Sequence, residues 1–238
     1  MFSRLLNALF PPVCLGCRQR VESPGALCPS CFGRLRFITA PVCALCGRPL
    51  PGGEYGAPVC GGCLVRRPAF RTARAALCYE ETSRALILGL KYGDRLDVAP
   101  LMARMMMNAG RDVLEGADVL IPVPLHWKRL FVRKYNQSSV LAEALTEKCG
   151  VPTDSFILKR TKATPKQGHF SHAERIENVR DVFAVSPRRD IRGRRIVLID
   201  DVMTSGATAE SCARTLYAAG AADVAVLTLA RVIERSDS

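Results

Sequence analysis

Eight of the chain's eleven cysteines stand as four C-x-x-C pairs: Cys14 and Cys17, Cys28 and Cys31, Cys43 and Cys46, Cys60 and Cys63. A two-residue spacer lets one tight turn present two sulfurs to a single ion, and zinc takes four such ligands in a tetrahedron. Gly16, Gly33, Gly47, Gly61 and Gly62 beside the pairs suit those turns. Taken in sequence, the first two pairs are ten residues apart and the last two thirteen, the pattern of two consecutive zinc ribbons holding two Zn²⁺. An interleaved arrangement, first pair with third and second with fourth, fits the same spacing, and every one of the eight is a ligand either way. Thioredoxin-like redox chemistry would need a single C-x-x-C opening a helix after a strand.

A second constellation is Ile196-Val197-Leu198-Ile199-Asp200-Asp201-Val202-Met203-Thr204-Ser205-Gly206-Ala207-Thr208. Four apolar residues lead into two acids and a hydroxyl- and glycine-rich turn, after which Ala209, Cys212, Ala213 and Leu216 recur at helical spacing. In a parallel sheet that order puts both carboxylates at the ligand-binding end of a strand and the turn at a helix N-terminus. Free backbone N–H groups and the hydroxyls of Thr204, Ser205 and Thr208 can there surround a phosphate, with Gly206 supplying the positive φ of an anion nest. Asp200 and Asp201 repel a phosphate, so they are assigned to neighbouring hydroxyls and a hydrated Mg²⁺. A sugar phosphate answers both halves. No G-x-x-x-x-G-K-[ST] is present, which excludes a P-loop.

The elements that must position these groups follow from periodicity. Residues 71–79 alternate as a strand and 82–90 read as helical, while Val98, Leu101, Met102, Met105 and Ala109 share one helical face, with Met105 to Met107 as core packing. Beyond them come a strand at 119–123, a helix at 138–148 stopped by Gly150, strands at 196–199 and 224–230, and a helix at 207–219 stopped by Gly220. Strands alternating with helices imply an α/β fold, a parallel sheet flanked by helices. The cysteine clustering sets off a small N-terminal module, residues 1–67, from a larger domain, residues 68–238.

The formal net charge is +12, half of it in the first 70 residues. Eight thiolates and two zinc ions together subtract four, leaving about +8, which still favours polyanions or phosphorylated small molecules. The apolar start stops at Pro11 and Pro12 without a signal-peptide cleavage site, and no apolar run approaches the roughly 20 residues that span a bilayer. The chain reads as soluble and cytoplasmic, where disulfides are disfavoured and clustered cysteines point to metal.

Residues 196–208 resemble the 13-residue signature with which type I phosphoribosyltransferases bind phosphoribosyl pyrophosphate (PRPP). The whole chain resembles the ComF family of bacterial competence-related proteins, in which a zinc ribbon precedes such a domain. That similarity is carried by Tyr79, Lys91, Tyr92 and Gly93; by Pro122-Val123-Pro124-Leu125 followed by Arg133, Asn136 and Gln137; and by Arg160, Gln167, Arg175, Asn178 and Phe183. It implies a type I phosphoribosyltransferase-like fold in which Asp200, Asp201, Thr204, Ser205, Gly206, Ala207 and Thr208 bind PRPP with Mg²⁺, and Lys128, Arg129, Arg133 and Lys134 contact pyrophosphate. Residues 159–180 fit a mobile loop bringing Lys166, His169 or Arg175 to the leaving group, so Asp200, Asp201, Lys166 and Arg175 form the expected catalytic set. The zinc module and residues 64–110 are expected at the hood that reads the acceptor.

The reaction so implied is displacement of pyrophosphate from the ribose anomeric carbon by an unidentified nitrogen nucleophile, with no covalent nucleophile on the protein. The alternative is a non-catalytic PRPP-fold protein that serves DNA uptake by gripping single-stranded DNA through its basic surface, or by recruiting a competence helicase through its ribbons. Trp127, Phe131 and Tyr135, interleaved with the four cations and spaced by four, read either as a stacking surface or as core. One departure is informative. The family usually shows Arg-Gly-Phe-Asn-Gln where this chain has Arg133-Lys134-Tyr135-Asn136-Gln137, so an altered loop is expected there.

Overall fold

A sheet buried on both faces needs apolar residues at consecutive positions, and residues 196–199 and 224–227 supply them. The computed structural model describes residues 11–51, 58–93, 95–126, 130–131, 133–161 and 182–233. Its strands are β1 (Thr72–Cys78), β2 (Val119–Pro122), β3 (Leu158–Arg160), β4 (Phe183–Val185), β5 (Arg195–Met203) and β6 (Asp223–Arg231). β1, β6, β5 and β2 lie side by side in that order and all parallel, while β3 and β4 form a separate antiparallel pair. Ile196 and Leu198 of β5 pack with one hydrophobic cluster, Val197 and Ile199 with the other, as the two-residue period of a strand requires.

The helices are α1 (Pro29–Gly33), α2 (Gly61–Val65), α3 (Glu81–Tyr92), α4 (Ala99–Ala109), α5 (Arg111–Leu114), α6 (Gln137–Cys149) and α7 (Ala207–Ala218). α3, α4 and α6 supply the cluster on one face through Leu90, Met102, Met106 and Leu141; α7 and the β3–β4 pair supply the other through Cys212, Leu216 and Phe183. Sequence signals set the helix ends. Glu80 and Ser83 form a capping box at α3, Asn136 Oδ1 accepts from Ser138 N at 3.1 Å at the start of α6, and Gly150 stops α6 with φ 75°. No helix of the described residues is long and apolar enough to cross a membrane.

Three expectations change. β5 continues through Asp200, Asp201, Val202 and Met203, because β6 extends equally far and pairs Thr228 with Asp200 and Ala230 with Val202. Part of the stretch expected at the hood is core: β1 is a strand of the central sheet and α4 covers it, Met102 and Met106 included, while Tyr92 and Leu96 stay exposed. Tyr135 is no stacking surface, since its ring packs on the core and its hydroxyl donates to Leu90 O. Phe131 stays 86% exposed, and Trp127 lies outside the described residues.

The zinc module closes the outer edge of β1, which would otherwise present unpaired backbone groups. Cys78 N donates to Arg36 O and Ile38 N to Ala76 O; nearer the start of β1, Ala73 N donates to Leu45 O at 2.8 Å. Gly47, at φ 68°, makes that second approach feasible, because a Cβ there would fall 2.4 Å from Ala73 O.

Candidate metal centres and phosphate site

The turns that follow Cys14 and Cys43 aim backbone N–H groups at sulfur. Gly16 N and Cys28 N donate to Cys14 Sγ at 3.3 and 3.1 Å, and Cys60 N donates to Cys43 Sγ at 3.3 Å. Two four-cysteine clusters result, Cys14, Cys17, Cys28 and Cys31 in one, Cys43, Cys46, Cys60 and Cys63 in the other, with each cluster's sulfurs within 4.8 Å of one another. The sequential pairing is therefore the real one. A tetrahedron with Zn–S bonds of about 2.3 Å has edges of about 3.8 Å. The Cys17–Cys28 and Cys46–Cys60 separations are both 3.7 Å.

The thiol electrostatics agree with a cation site. Burial works to raise Cys14, but the amides of Cys28, Cys17 and Gly16 outweigh it and bring the thiol down to about 6. Cys31 is pushed up to about 11 by burial and by the neighbouring thiols, partly countered by Arg34. One thiolate that forms readily and raises its neighbours is what a divalent cation resolves, by ionising all four at once.

The second site is built where β5 meets α7. Asp200, partly buried, accepts from Ser138 Oγ at 3.0 Å through Oδ1, which also accepts from Asp201 N at 2.9 Å. Asp201 is 4% exposed, and its Oδ2 lies 2.8 Å from Lys91 Nζ, an ion pair without hydrogen-bond alignment. Burial first, then the charge of Asp201, pushes the Asp200 carboxyl up to about 7, against the pull of Lys91, Asp201 N and Ser138. After Met203 the chain turns at Thr204, exposed, and Ser205, whose Oγ accepts from Ala207 N at 3.4 Å; Gly206, at φ 83°, then precedes α7. The first-turn N–H groups of a helix lack intrahelical acceptors, so this turn is suited to an oxyanion.

The raised carboxyl has a measurable consequence. The native state holds the Asp200 proton up to about pH 7, while the unfolded chain releases it near the usual 3.8, so unfolding becomes easier as pH rises between these values and levels off above. Wild-type stability relative to Asp200→Asn should fall by about 2 kcal/mol from about pH 5.5 to 8 in parallel denaturant titrations. A constant difference would show that Asp200 is ionised throughout.

Of the expected pyrophosphate contacts, Lys128 and Arg129 lie outside the described residues, as do the catalytic candidates Lys166 and Arg175. Arg133 stacks on Tyr92 with its guanidinium 4.8 Å from the ring centroid, while Nη2 donates to the Tyr92 hydroxyl at 2.8 Å and Nη1 to Gln137 Oε1 at 3.2 Å. Lys134 stands at φ 66°, a backbone that glycine adopts freely and a lysine only at a cost. Lys134→Gly should raise the unfolding free energy by up to about 1 kcal/mol in chemical denaturation, less the added entropy of the unfolded chain. A loss instead would mean that the lysine makes a contact worth more than the strain.

Ser138 and the Lys91–Asp201 pair escaped sequence reasoning as site contacts, since both reach the acids from elements 62 and 110 residues away. A faint signal existed for Ser138: Asn136 caps α6 and places Ser138 in its first turn. Arg66 and Glu210, an ion pair that ties the linker after the second ribbon to the first turn of α7, left no local trace at all.

Comparison with known proteins agrees with both halves. Residues 5–64 match the double zinc ribbon domain and residues 136–237 the phosphoribosyl transferase domain. Competence protein F of Haemophilus influenzae is 30% identical over 92% of this chain and 96% of its own length. The DNA utilization protein YhgH of Salmonella typhi is 31% identical over 94% of this chain and 98% of its own. Competence protein ComFC of Bacillus subtilis is 29% identical over 86% and 84%.

Proposed function

Because this chain belongs to the ComF family, with competence protein F and the YhgH DNA utilization proteins, we propose that it binds PRPP with Mg²⁺ and transfers the phosphoribosyl group to a nitrogen acceptor. The observation that carries this reading is the junction of β5 and α7, where two carboxylates at the strand end are followed directly by the phosphate-suited turn. Thr204, Ser205, Gly206, Ala207 and Thr208 hold the 5-phosphate. Asp200 and Asp201 take the ribose hydroxyls, and Mg²⁺, arriving with PRPP, neutralises the pyrophosphate. Lys91, 2.8 Å from Asp201 Oδ2, holds that carboxylate in place until the sugar arrives.

Arg133 and Lys134, with Lys128 and Arg129, are assigned to the pyrophosphate, and Lys166 and Arg175 to the departing group. Their work is electrostatic, since the oxocarbenium-like transition state gains most from neutralising the leaving charge. The domain division at residues 67 and 68 is supported by the linker Arg66-Arg67-Pro68, where the ribbon's last helix ends and the strand-forming sequence begins. The relatives' names, competence protein F and DNA utilization protein YhgH, support a role in competence and DNA utilization.

Calorimetric titration of the zinc-loaded chain with PRPP and Mg²⁺ tests this directly, saturable binding at one site per chain being the expected result. A second reading draws on Phe131, 86% exposed beside the basic loop, which offers a stacking face to single-stranded DNA. Absence of PRPP binding, together with salt-dependent binding of an oligonucleotide, would put that reading first.

A further inference from the structure

A cleft of about 500 Å³ lies between the second zinc ribbon and the phosphate turn, and its lining extends beyond both to Phe70, Glu210 and Arg231. Cys46, Cys60 and Cys63 stand on one side of it and Met203, Ser205 and Gly206 on the other, so an occupant touches the turn assigned to the first substrate. Phe70 and Met203, both buried, contribute a ring and a thioether, surfaces that suit a planar ring.

The charge of the lining is one-sided. Arg48, Arg66 and Arg231 face a single acid, Glu210, which is already paired with Arg66 and Arg214. Arg231 is only 5% exposed; its Nη1 donates to Cys46 O at 2.9 Å and contacts Met203 Sδ at 3.1 Å, but its Nε has no partner. No carboxylate among the described residues pairs with it. It lies against the second zinc site through Cys46, yet its Nε donor is left unmet. Burying a charged donor without an acceptor is costly, and a position held at that cost suits an incoming anion.

We propose that this cleft is the acceptor subsite, and that the acceptor is a planar nitrogen heterocycle bearing a carboxylate, which Arg231 reads. The proposal rests on the PRPP reading above and names the substrate class that it leaves open. In the transfer, the ring nitrogen forms a bond to the anomeric carbon of PRPP as that carbon's bond to the pyrophosphate oxygen breaks. The electron pair of the broken bond leaves on pyrophosphate; a ring N–H, as in orotate, gives its proton to water, whereas a pyridine-type nitrogen, as in nicotinate, releases none and becomes a pyridinium. The second ribbon thereby becomes a wall of the active site.

The test uses the full zinc-loaded chain in two calorimetric stages. PRPP with Mg²⁺ is titrated first, and then orotate and nicotinate, each beside its counterpart without the carboxylate, uracil and nicotinamide. At least one acid should bind to the PRPP-loaded chain at least about 10-fold more tightly than its counterpart. Arg231→Met should remove that preference while saturable PRPP binding and a zinc content of two are kept, and Arg231→Lys should restore part of it. Failure of both acids to bind a chain that does bind PRPP overturns the inference alone. So does binding of acid and counterpart alike, or loss of zinc from Arg231→Met with acid binding intact, which would make Arg231 a counter-ion of the metal site. No PRPP binding by the wild type takes down the proposed function and this inference with it.

Discussion

Replacing both Asp200 and Asp201 with asparagine should lower affinity for PRPP with Mg²⁺ at least about 100-fold while the chain stays folded. Two charge-assisted hydrogen bonds at about 1.5–3 kcal/mol each are removed, and about 1.4 kcal/mol is tenfold in binding. The fold should survive because asparagine is nearly isosteric and because one of the two carboxylates is itself a burden. Asp200 sits beside another carboxylate and is pushed up to about 7, so neutralising it relieves repulsion. Asp201 is the opposite case: its loss strands Lys91, which is only 18% exposed at the side chain. The two single variants should therefore separate, with Asp201→Asn lowering the melting temperature and Asp200→Asn leaving it unchanged or raised. PRPP binding unchanged in the double variant would remove the acids from the site.

The second large effect concerns the zinc ions, and the two should not be equivalent. Cys43→Ser should reduce bound zinc from two per chain to one, lower the melting temperature by more than about 5 °C and weaken PRPP binding roughly 10-fold. The second knuckle is fastened to the core: Leu45 O accepts from Ala73 N, Ala44 O from the Thr72 hydroxyl at 2.6 Å, and Cys46 O from Arg231, which also reaches Met203 beside the phosphate turn. Losing the metal releases that whole seam.

Cys14→Ser should also drop one zinc but leave PRPP affinity within about twofold. The first ribbon is fastened elsewhere, with Arg95 Nη1 donating to Leu15 O at 2.9 Å and Arg104 Nη2 to Gly25 O at 3.3 Å, contacts that do not include the phosphate turn. Metal analysis, thermal melts and PRPP titrations on the two variants check this together. Equal effects on PRPP binding would show that the ribbons act only as general supports.

The strongest local signals were those whose chemistry is set by spacing along the chain. The C-x-x-C pairs needed only short turns to bring two sulfurs together, and residues 196–208 needed only a strand, a turn and a helix in succession. Both were legible because every partner lies within a few residues. The helix stops at Gly150 and after Ala218 were legible for the same reason. Where β5 ends was not, because its length is decided by hydrogen bonding to β6, a strand more than twenty residues later.

What tertiary structure alone decided is everything that depends on contact at long range. Spacing left the cysteine pairs free to combine in two ways, and only the folded ribbons join first with second and third with fourth. Residues 71–79 read as a strand, but only pairing with β6 put that strand in the central sheet and took it out of the stretch expected at the hood. The Lys91–Asp201 and Arg66–Glu210 pairs, and Arg231 under the second ribbon, join residues 110, 144 and 185 positions apart. The sequence by itself determined which groups can bind metal and phosphate, since that chemistry is local. Burial and charge are properties of the surroundings, so which acid is raised, which cation lacks an anion and what lines the cleft were settled only when distant segments packed together.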